Sequence, residues 1–265
     1  ATTPPTTADL LGVADPLVDF PDPELARAAL DGADLVIAVD PFINASSAHG
    51  ADIVLPAAAF GEVDGSHTNL EGRISAVRQK VTPPGTARPD WMIAAELAMR
   101  LGKDMGFTST TEITNEIAAV SALHAEADAE AIQAATDGVL VTGGPAWADQ
   151  GAPTEAPAVD SYSFRLVVDR TMYDGGTQTM MCPSIAELSA PGAVRINTAE
   201  ASKLGVETGA TVRLSSQRAA VEGPVLVDDS IASGIAAVAH NHAGLDVRSL
   251  IDMNELVTDI RIETV

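Results

Sequence analysis

The sequence predicts an α/β layer with a parallel sheet, followed by a closed β-barrel. Three observations carry this expectation. Helix and strand patterns alternate between Asp22 and Leu55, a Gly- and Pro-rich stretch interrupts the chain from Gly143 to Asp160, and short period-two segments separated by Gly, Ser and Asp turns follow it. The expected organisation is therefore an α/β domain over residues 1–142, a linker over 143–160 and a barrel over 161–265.

The first dozen residues, rich in Thr, Pro and Ala, read as extended until packing begins near Leu10. Asp22 can cap a helix with Pro23 at its first position; Leu25, Ala26, Ala29 and Leu30 form the apolar face, and Gly32 ends it. Leu35 to Val39 is a continuous apolar strand. A short helix around Asn44 to Ala48 precedes a second strand, Asp52 to Leu55, whose apolar run between Gly50 and Pro56 reads as buried. Pro83, Pro84 and Gly85 force a turn. Pro89 opens a helix with Trp91, Ile93, Ala94, Leu97, Ala98 and Leu101 at helical spacing and Gly102 as its stop.

Ser109 and Glu112 form a capping box for a helix containing Ile113, Ile117, Val120 and Leu123, which the alanine- and acid-rich run continues to about Ala135. Beyond the linker, Phe164 to Val168, Val194 to Ile196, Thr211 to Leu214, Ala219 to Leu226, Ile235 to His240 and Ile260 to Val265 read as strands. One small helix, Thr198 to Leu204, ends at Gly205. Short strands around a single small helix favour barrel closure.

The chain of 265 residues is long enough for two domains, and its 46% hydrophobic content excludes general disorder. A net charge of −22, with Lys80, Lys103 and Lys203 the only lysines, repels nucleic acid and anionic lipid. Acidity of this kind serves solubility; binding of cations or a basic partner is the alternative. No run approaches the roughly 18 to 20 apolar residues of a membrane span. No signal peptide is evident, and a start at Ala1 without methionine points to a piece of a longer chain. Cys182 is the only cysteine, which excludes an internal disulfide and any cluster or zinc site built on several thiolates, and makes a cytoplasmic setting the default.

The stretch Ala51 to Gly102 holds the most specific motifs. An apolar strand ending at Pro56 leads to Asn-Leu-Glu-Gly-Arg at Asn69 to Arg73, then to Val-Thr-Pro-Pro-Gly and Ala-Arg-Pro-Asp-Trp. This order resembles the molybdopterin-oxidoreductase superfamily. The Glu71-Gly72-Arg73 form is similar to its respiratory complex I branch, the large iron–sulfur subunit of NADH–quinone oxidoreductase; catalytic formate dehydrogenases more often show Glu-Arg-Arg there. Ile196 to Leu214, with Asn-Thr-Ala-Glu-Ala-Ser-Lys-Leu-Gly and Gly-Ala-Thr-Val-Arg-Leu, resembles the double-psi β-barrel of the same superfamily.

The resemblance implies a molybdopterin-oxidoreductase-type α/β domain and a dinucleotide-binding-like barrel. On the complex I reading, the whole subunit relays electrons from NADH toward quinone and carries iron–sulfur clusters in an amino-terminal portion outside this sequence. This segment is then a scaffold without a cofactor of its own. Its partners are other hydrophilic-arm subunits, on the inner side of the plasma membrane. Alternatives are a catalytic molybdenum oxidoreductase such as formate dehydrogenase, whose two domains grip molybdopterin guanine dinucleotide, and an acidic non-catalytic interaction module.

Candidate contacts follow. Asp40, at the end of a strand, could receive a ribose or guanine group, with Asn44 in the turn beyond. Without a Gly-x-Gly-x-x-Gly, a capping or turn carboxylate is preferred for Asp40. Glu71 and Arg73, two apart on an extended segment, face one side and can pair, so with Asn69 they form either a structural clamp or a cofactor contact. If that pair is buried, removing Arg73 should destabilise the fold. Arg170 stands at the loop where, by the resemblance, barrel members approach the pterin; an ordinary surface or interdomain arginine is its alternative. Together Asp40, Asn44, Asn69, Arg73 and Arg170 form a tentative ancestral pterin-dinucleotide pocket. His240 and His242 have a spacing able to bind a metal if extended, but lack a third ligand, so no metal ligand and no catalytic residue is assigned. Cys182 reads as a small buried hydrophobe. Hydrolase, NTPase and metalloprotease motifs do not occur.

Overall fold

A computed structural model describes residues 8–12, 14–141, 155–160 and 162–265. Most of the expected linker, and the expected extended start up to residue 7, lie outside the described residues. The chain divides into two compact units that interleave in sequence. One comprises Ala1–Ile37, Phe42–Ile53 and Thr154–Val265, the other Ala38–Pro41 and Val54–Pro153.

The amino-terminal layer follows its local signals closely. After β1 (Ala8–Gly12) and α1 (Pro16–Asp19), Asp22 caps α2 (Pro23–Gly32) by accepting from Glu24 N at 3.1 Å and Leu25 N at 3.0 Å, and α2 buries Ala26 and Leu30. The apolar run forms β2 (Leu35–Asp40). Asn44 caps α3 (Ala45–Gly50) in a reciprocal box: its Oδ1 accepts from Ser47 N at 2.9 Å, and Ser47 Oγ accepts from Asn44 N at 2.9 Å. The chain then enters β3 (Ile53–Pro56), and the sheet has the order β1-β2-β3. Asp52 N donates to Val36 O and Ala57 N to Asp40 O, an advance in the same direction on both strands that makes β2 and β3 parallel. The expectation of a buried second strand is corrected. As an edge strand, β3 leaves Ile53 and Val54 exposed.

The other unit holds a sheet that sequence pattern did not anticipate. β4 (Gly65–Thr68) and β5 (Arg73–Val77) form an antiparallel hairpin. Next come α4 (Asp90–Arg100), α5 (Thr110–Val120), α6 (Ala129–Ala134) and β6 (Val139–Leu140), which adds antiparallel to β5. Gly-Ser-His-Thr carries no apolar alternation and β6 has two residues, so neither offers a period to read. Ile93 packs with Val39, Ala57, Leu55 and Leu97. Ile74 packs with Ala127 and Ile132. Leu101, by contrast, is exposed rather than on the packed face of α4. The continuous helix expected to about Ala135 is also corrected: α5 stops at Ser121, a short 3₁₀ turn spans Ala122–His124, and Asp128 caps α6 anew by accepting from Ala131 N at 2.8 Å.

The carboxy-terminal half is a closed six-stranded barrel of double-psi type. Its elements are β7 (Phe164–Asp169), α7 (Thr177–Met180), α8 (Pro183–Ala186), β8 (Val194–Ile196), α9 (Thr198–Leu204), β9 (Thr211–Ser215), β10 (Ala220–Val227), β11 (Ile235–Ala239) and β12 (Asp259–Thr264). The strand order is β10-β8-β11-β7-β12-β9. Pairs β8/β10 and β7/β11 are parallel, whereas β9 runs antiparallel to both β10 and β12. Val194, Ile196, Leu214, Val238, Leu250 and Ile260 fill the interior. A Cβ at Gly223 would meet Leu245 Cδ1 at 2.8 Å, so the buried Leu245 side chain would have to shift to admit one. Among the described residues the barrel half has three α-helices instead of one, because single-turn α7 and α8 are too short for a 3.6-residue period to register.

Glu200, at the start of α9, is buried and fully engaged. It accepts from Ser233 Oγ and takes both hydrogen bonds of Lys203 Nζ at 3.1 Å. The Ser233 hydroxyl foremost, with Lys203, holds its carboxyl below the ordinary value of 4.5 against the opposing effect of burial.

Truncating Leu250, which is wholly buried, to Ala should lower unfolding free energy by about 2 to 5 kcal/mol, measured by chemical denaturation. Replacement of Glu200 by Gln should destabilise the protein at neutral pH. Because the folded carboxyl is depressed, its stabilisation is present above its unfolded pKa and vanishes as pH falls through the folded one. Denaturation curves of wild type and Glu200→Gln should therefore converge on acidification.

Candidate functional site

Asp15 sits at the amino-terminal cap of α1 but makes no side-chain bond to that helix. Its carboxylate is instead buried and turned to α3, accepting from Ala45 N at 3.2 Å, Ser46 N at 3.0 Å and Ser46 Oγ at 2.5 Å. Thr177 Oγ1 of α7 adds a fourth bond at 3.2 Å. Ser46 Oγ in turn accepts from Leu17 N at 2.9 Å, and Asn44 Nδ2 donates to Ala14 O at 3.3 Å. A local cap signal thus becomes a knot of three chain segments.

Barrel arginines bind the same amino-terminal stretch. Arg248, itself buried, donates to Leu17 O at 2.8 Å and to Val18 O while chelating Asp246. Arg218 pairs with Asp22 at 2.9 Å, and this hydrogen bond is the main reason the Asp22 carboxyl lies below the usual carboxylate range. Arg170 lies after β7, largely exposed, 3.4 Å from Asp174 and 3.7 Å from Asp19.

The candidate residues fall on both units. Asn44 and Arg170 belong to the unit that contains the barrel; Asp40, Asn69 and Arg73 belong to the other. Asp40 is buried, with its carbonyl taken by Ala57 N, and Asn44 is a helix cap. Asn69 organises its turn from within: Oδ1 accepts from Glu71 N at 2.9 Å and Arg73 N at 3.0 Å, while Gly72 takes φ +82°, a conformation that favours glycine. Glu71 and Arg73 do pair, through two bonds of 2.9 and 3.1 Å, but across this turn rather than along an extended strand. Glu71 is exposed and Arg73 only half-buried, so the pair is not largely buried, the condition on which destabilisation by loss of Arg73 depended.

Two further readings are corrected. His240 and His242 do not share one extended face, because β11 ends at Ala239 and Asn241 between them is left-handed at φ 59°. His242 is buried between Thr171 Oγ1 at 2.8 Å and Ala190 O at 2.5 Å. Among the described residues no group of three His, Cys, Asp or Glu side chains could hold a metal. Cys182 is half-buried, not core, and stands at the amino-terminal cap position of α8 without a side-chain cap bond; the Ser184 hydroxyl beside it lowers its thiol pKa.

Two open hollows, of about 760 Å³ along α5 and α6 and about 800 Å³ beside α9, are not lined by any of the five candidate residues. Asp15, Asp19, Arg218 and Arg248 escaped sequence reasoning. Asp15 before Pro16 offered a cap signal, but nothing local showed its side chain diverted to a helix some thirty positions away.

Residues 8–100 match the family described as Molybdopterin oxidoreductase, and residues 164–264 match the Molydopterin dinucleotide binding domain. The chain thus carries a molybdopterin oxidoreductase domain and a dinucleotide-binding domain. It is 30% identical over 254 residues to the NADPH-Fe(3+) oxidoreductase subunit alpha of Geobacter sulfurreducens, covering 96% of this chain and 29% of that protein. It is 31% identical over 253 residues to the F420-dependent formate dehydrogenase 2 subunit alpha of Methanococcus maripaludis, covering 83% and 36%. The NADH-quinone oxidoreductase G 2 subunit of Rhizobium meliloti is 28% identical over 251 residues, covering 94% and 29%. The chain thus spans only about a third of these relatives. Acetylene hydratase from Pelobacter acetylenicus shares the fold, with a TM-score of 0.73 over 98% of this chain and 44% of that one at 14% identity.

Replacing Asp15 by Ala should strand four donors and lower stability by about 2 to 5 kcal/mol in denaturant titrations. Asp15→Asn, which keeps one acceptor oxygen, should fall between that variant and wild type.

Proposed function

We propose that this chain is the carboxy-terminal scaffold of a large electron-relay subunit of the complex I kind, an NADH–quinone oxidoreductase component whose whole length passes electrons from NADH toward quinone. The observation that carries the reading is the fate of its cations. A pterin dinucleotide brings phosphate charges that need basic groups or free backbone N–H donors. Arg165, Arg170, Arg195, Arg218 and Arg248 are each ion-paired with carboxylates of their own unit. The first N–H groups of α3 are taken by Asp15, and the net charge of −22 opposes further anions. This arrangement supports a chain that keeps the fold while engaging its polar groups internally, and it fits poorly a chain that grips a dinucleotide.

The nearly gap-free alignment with the NADH-quinone relative supports this reading. The NADPH-linked and NADH-linked relatives are aligned over 254 and 251 residues that take in 96% and 94% of this chain, whereas the formate dehydrogenase needs 253 to take in 83%, and so carries more insertions. On this proposal, iron–sulfur clusters belong to portions of the subunit beyond this sequence. The partners are other hydrophilic-arm subunits, and the complex lies at the inner side of the plasma membrane. No helix among the described residues is long and apolar enough to cross a membrane, so attachment would come through those partners.

The second reading, a catalytic molybdenum oxidoreductase such as a formate dehydrogenase, rests on the relative at 31% identity. The complete subunit, purified from its own cells, should hold neither molybdenum nor guanine nucleotide in stoichiometric amount. Elemental analysis and nucleotide chromatography that find both near one per subunit would replace the scaffold with a molybdenum enzyme.

A further inference from the structure

His240 lies where strand ends, a loop and the amino-terminal segment meet, all within one unit. Its backbone N–H donates to Asp169 O at 2.7 Å, which sets the half-buried ring at the ends of β7 and β11. Arg170 Nη2 stands 3.5 Å from His240 Nδ1 and faces Asp174 at 3.4 Å and Asp19 of α1 at 3.7 Å. From the loop after β11, Arg248 grips Asp246 and donates to the carbonyls of Leu17 and Val18. The remaining neighbour, His242, is committed to Thr171 and Ala190. The groups around His240 are thus Arg170 and Asp174 of one loop, Asp246 and Arg248 of another, and Asp19 of α1.

We infer that His240 is a pH-sensitive latch that holds α1 against the barrel when neutral and loosens it when protonated. A neutral Nδ1 accepts from Arg170 and keeps that guanidinium in place across Asp19. Protonation removes the acceptor and creates a third cation beside Arg170 and Arg248, which then competes with them for Asp19, Asp174 and Asp246. Arg248 also holds α1, through the Leu17 and Val18 carbonyls, so these two attachments weaken in one event while those through Asp15 and Ser46 remain.

The direction follows from linkage. Burial first, then Arg170 and Arg248, hold His240 below its ordinary 6.5, outweighing Asp174 and Asp19. The docked form therefore binds fewer protons than the released one. Its stabilisation is complete above the unfolded histidine value, about 6.5, and declines as pH falls below it.

Amide hydrogen exchange at Leu17, Val18 and Asp19 in the full chain, corrected for intrinsic rates, reads the latch at about pH 7.5 and about pH 5.5. Wild-type protection should be lost in part at the lower pH, as the docked form binds fewer protons than the released one. His240→Asn, which cannot take up a proton, should show no such drop. Equal protection at both pH values in wild type, or an equal loss in the variant, would overturn the latch. Should the variant fail to fold, the ring-proton titration of wild-type His240 decides. A midpoint below 6.5 that coincides with the loss of protection upholds the latch, and one at or above that value, or away from the loss, refutes it.

Discussion

Much of this molecule depends on where one buried carboxylate places its charge. Asp15 is shielded from water and carries four hydrogen bonds from two helices far apart in sequence. A buried carboxylate without donors costs several kcal/mol, so the contacts of α1, α3 and the loop bearing α7 support one another through Asp15. Arg248 and Arg218 extend the same logic from the barrel side: each meets a carbonyl or carboxylate of the segment between Leu17 and Asp22. This is the physical content of a unit that joins residues before Ile53 to those after Thr154.

The same constraint bears on function. Among the described residues, most arginines answer carboxylates inside the chain. Ion pairs at the surface contribute little singly, but Arg165, Arg195 and Arg248 are largely withdrawn from solvent, where an unpaired partner would be costly. A fold matched by a dinucleotide-binding domain model is thereby compatible with a polypeptide in which these arginines already face carboxylates of the same unit.

Local chemistry was legible wherever the signal lay within a few positions of the residue it governs. Asp22-Pro23, Ser109 with Glu112, and the α9 run ending at Gly205 were readable because caps and glycine stops act over three or four residues. So were the barrel strands, whose alternation survives between Gly and Asp turns. The break at Ser121 was hidden because alanine-rich sequence is permissive of helix and the new cap at Asp128 lay inside it. Edge exposure of β3 and the hairpin of β4 and β5 depend on neighbours supplied by distant sequence. Within the candidate site, Asn44 and Arg170 were visible as a turn amide and a loop arginine, while their partners Ala14, Asp19 and Asp174 were not all within reach of any local pattern.

By itself the sequence determined the alternating helices and strands up to Leu55, the change from helical to strand period, the single cysteine, and the order of motifs that match the molybdopterin oxidoreductase and dinucleotide-binding models. Only the tertiary structure decided which strands close the barrel, that Glu71 and Arg73 pair in the open, that Asn241 parts the two histidines, and that Asp15 serves α3 rather than α1. The reason is one of range. Caps, turns and periodicity are set by atoms a few bonds apart along the chain, whereas burial and the choice of a charge's partner are set by whichever segments the closed fold brings within hydrogen-bonding distance.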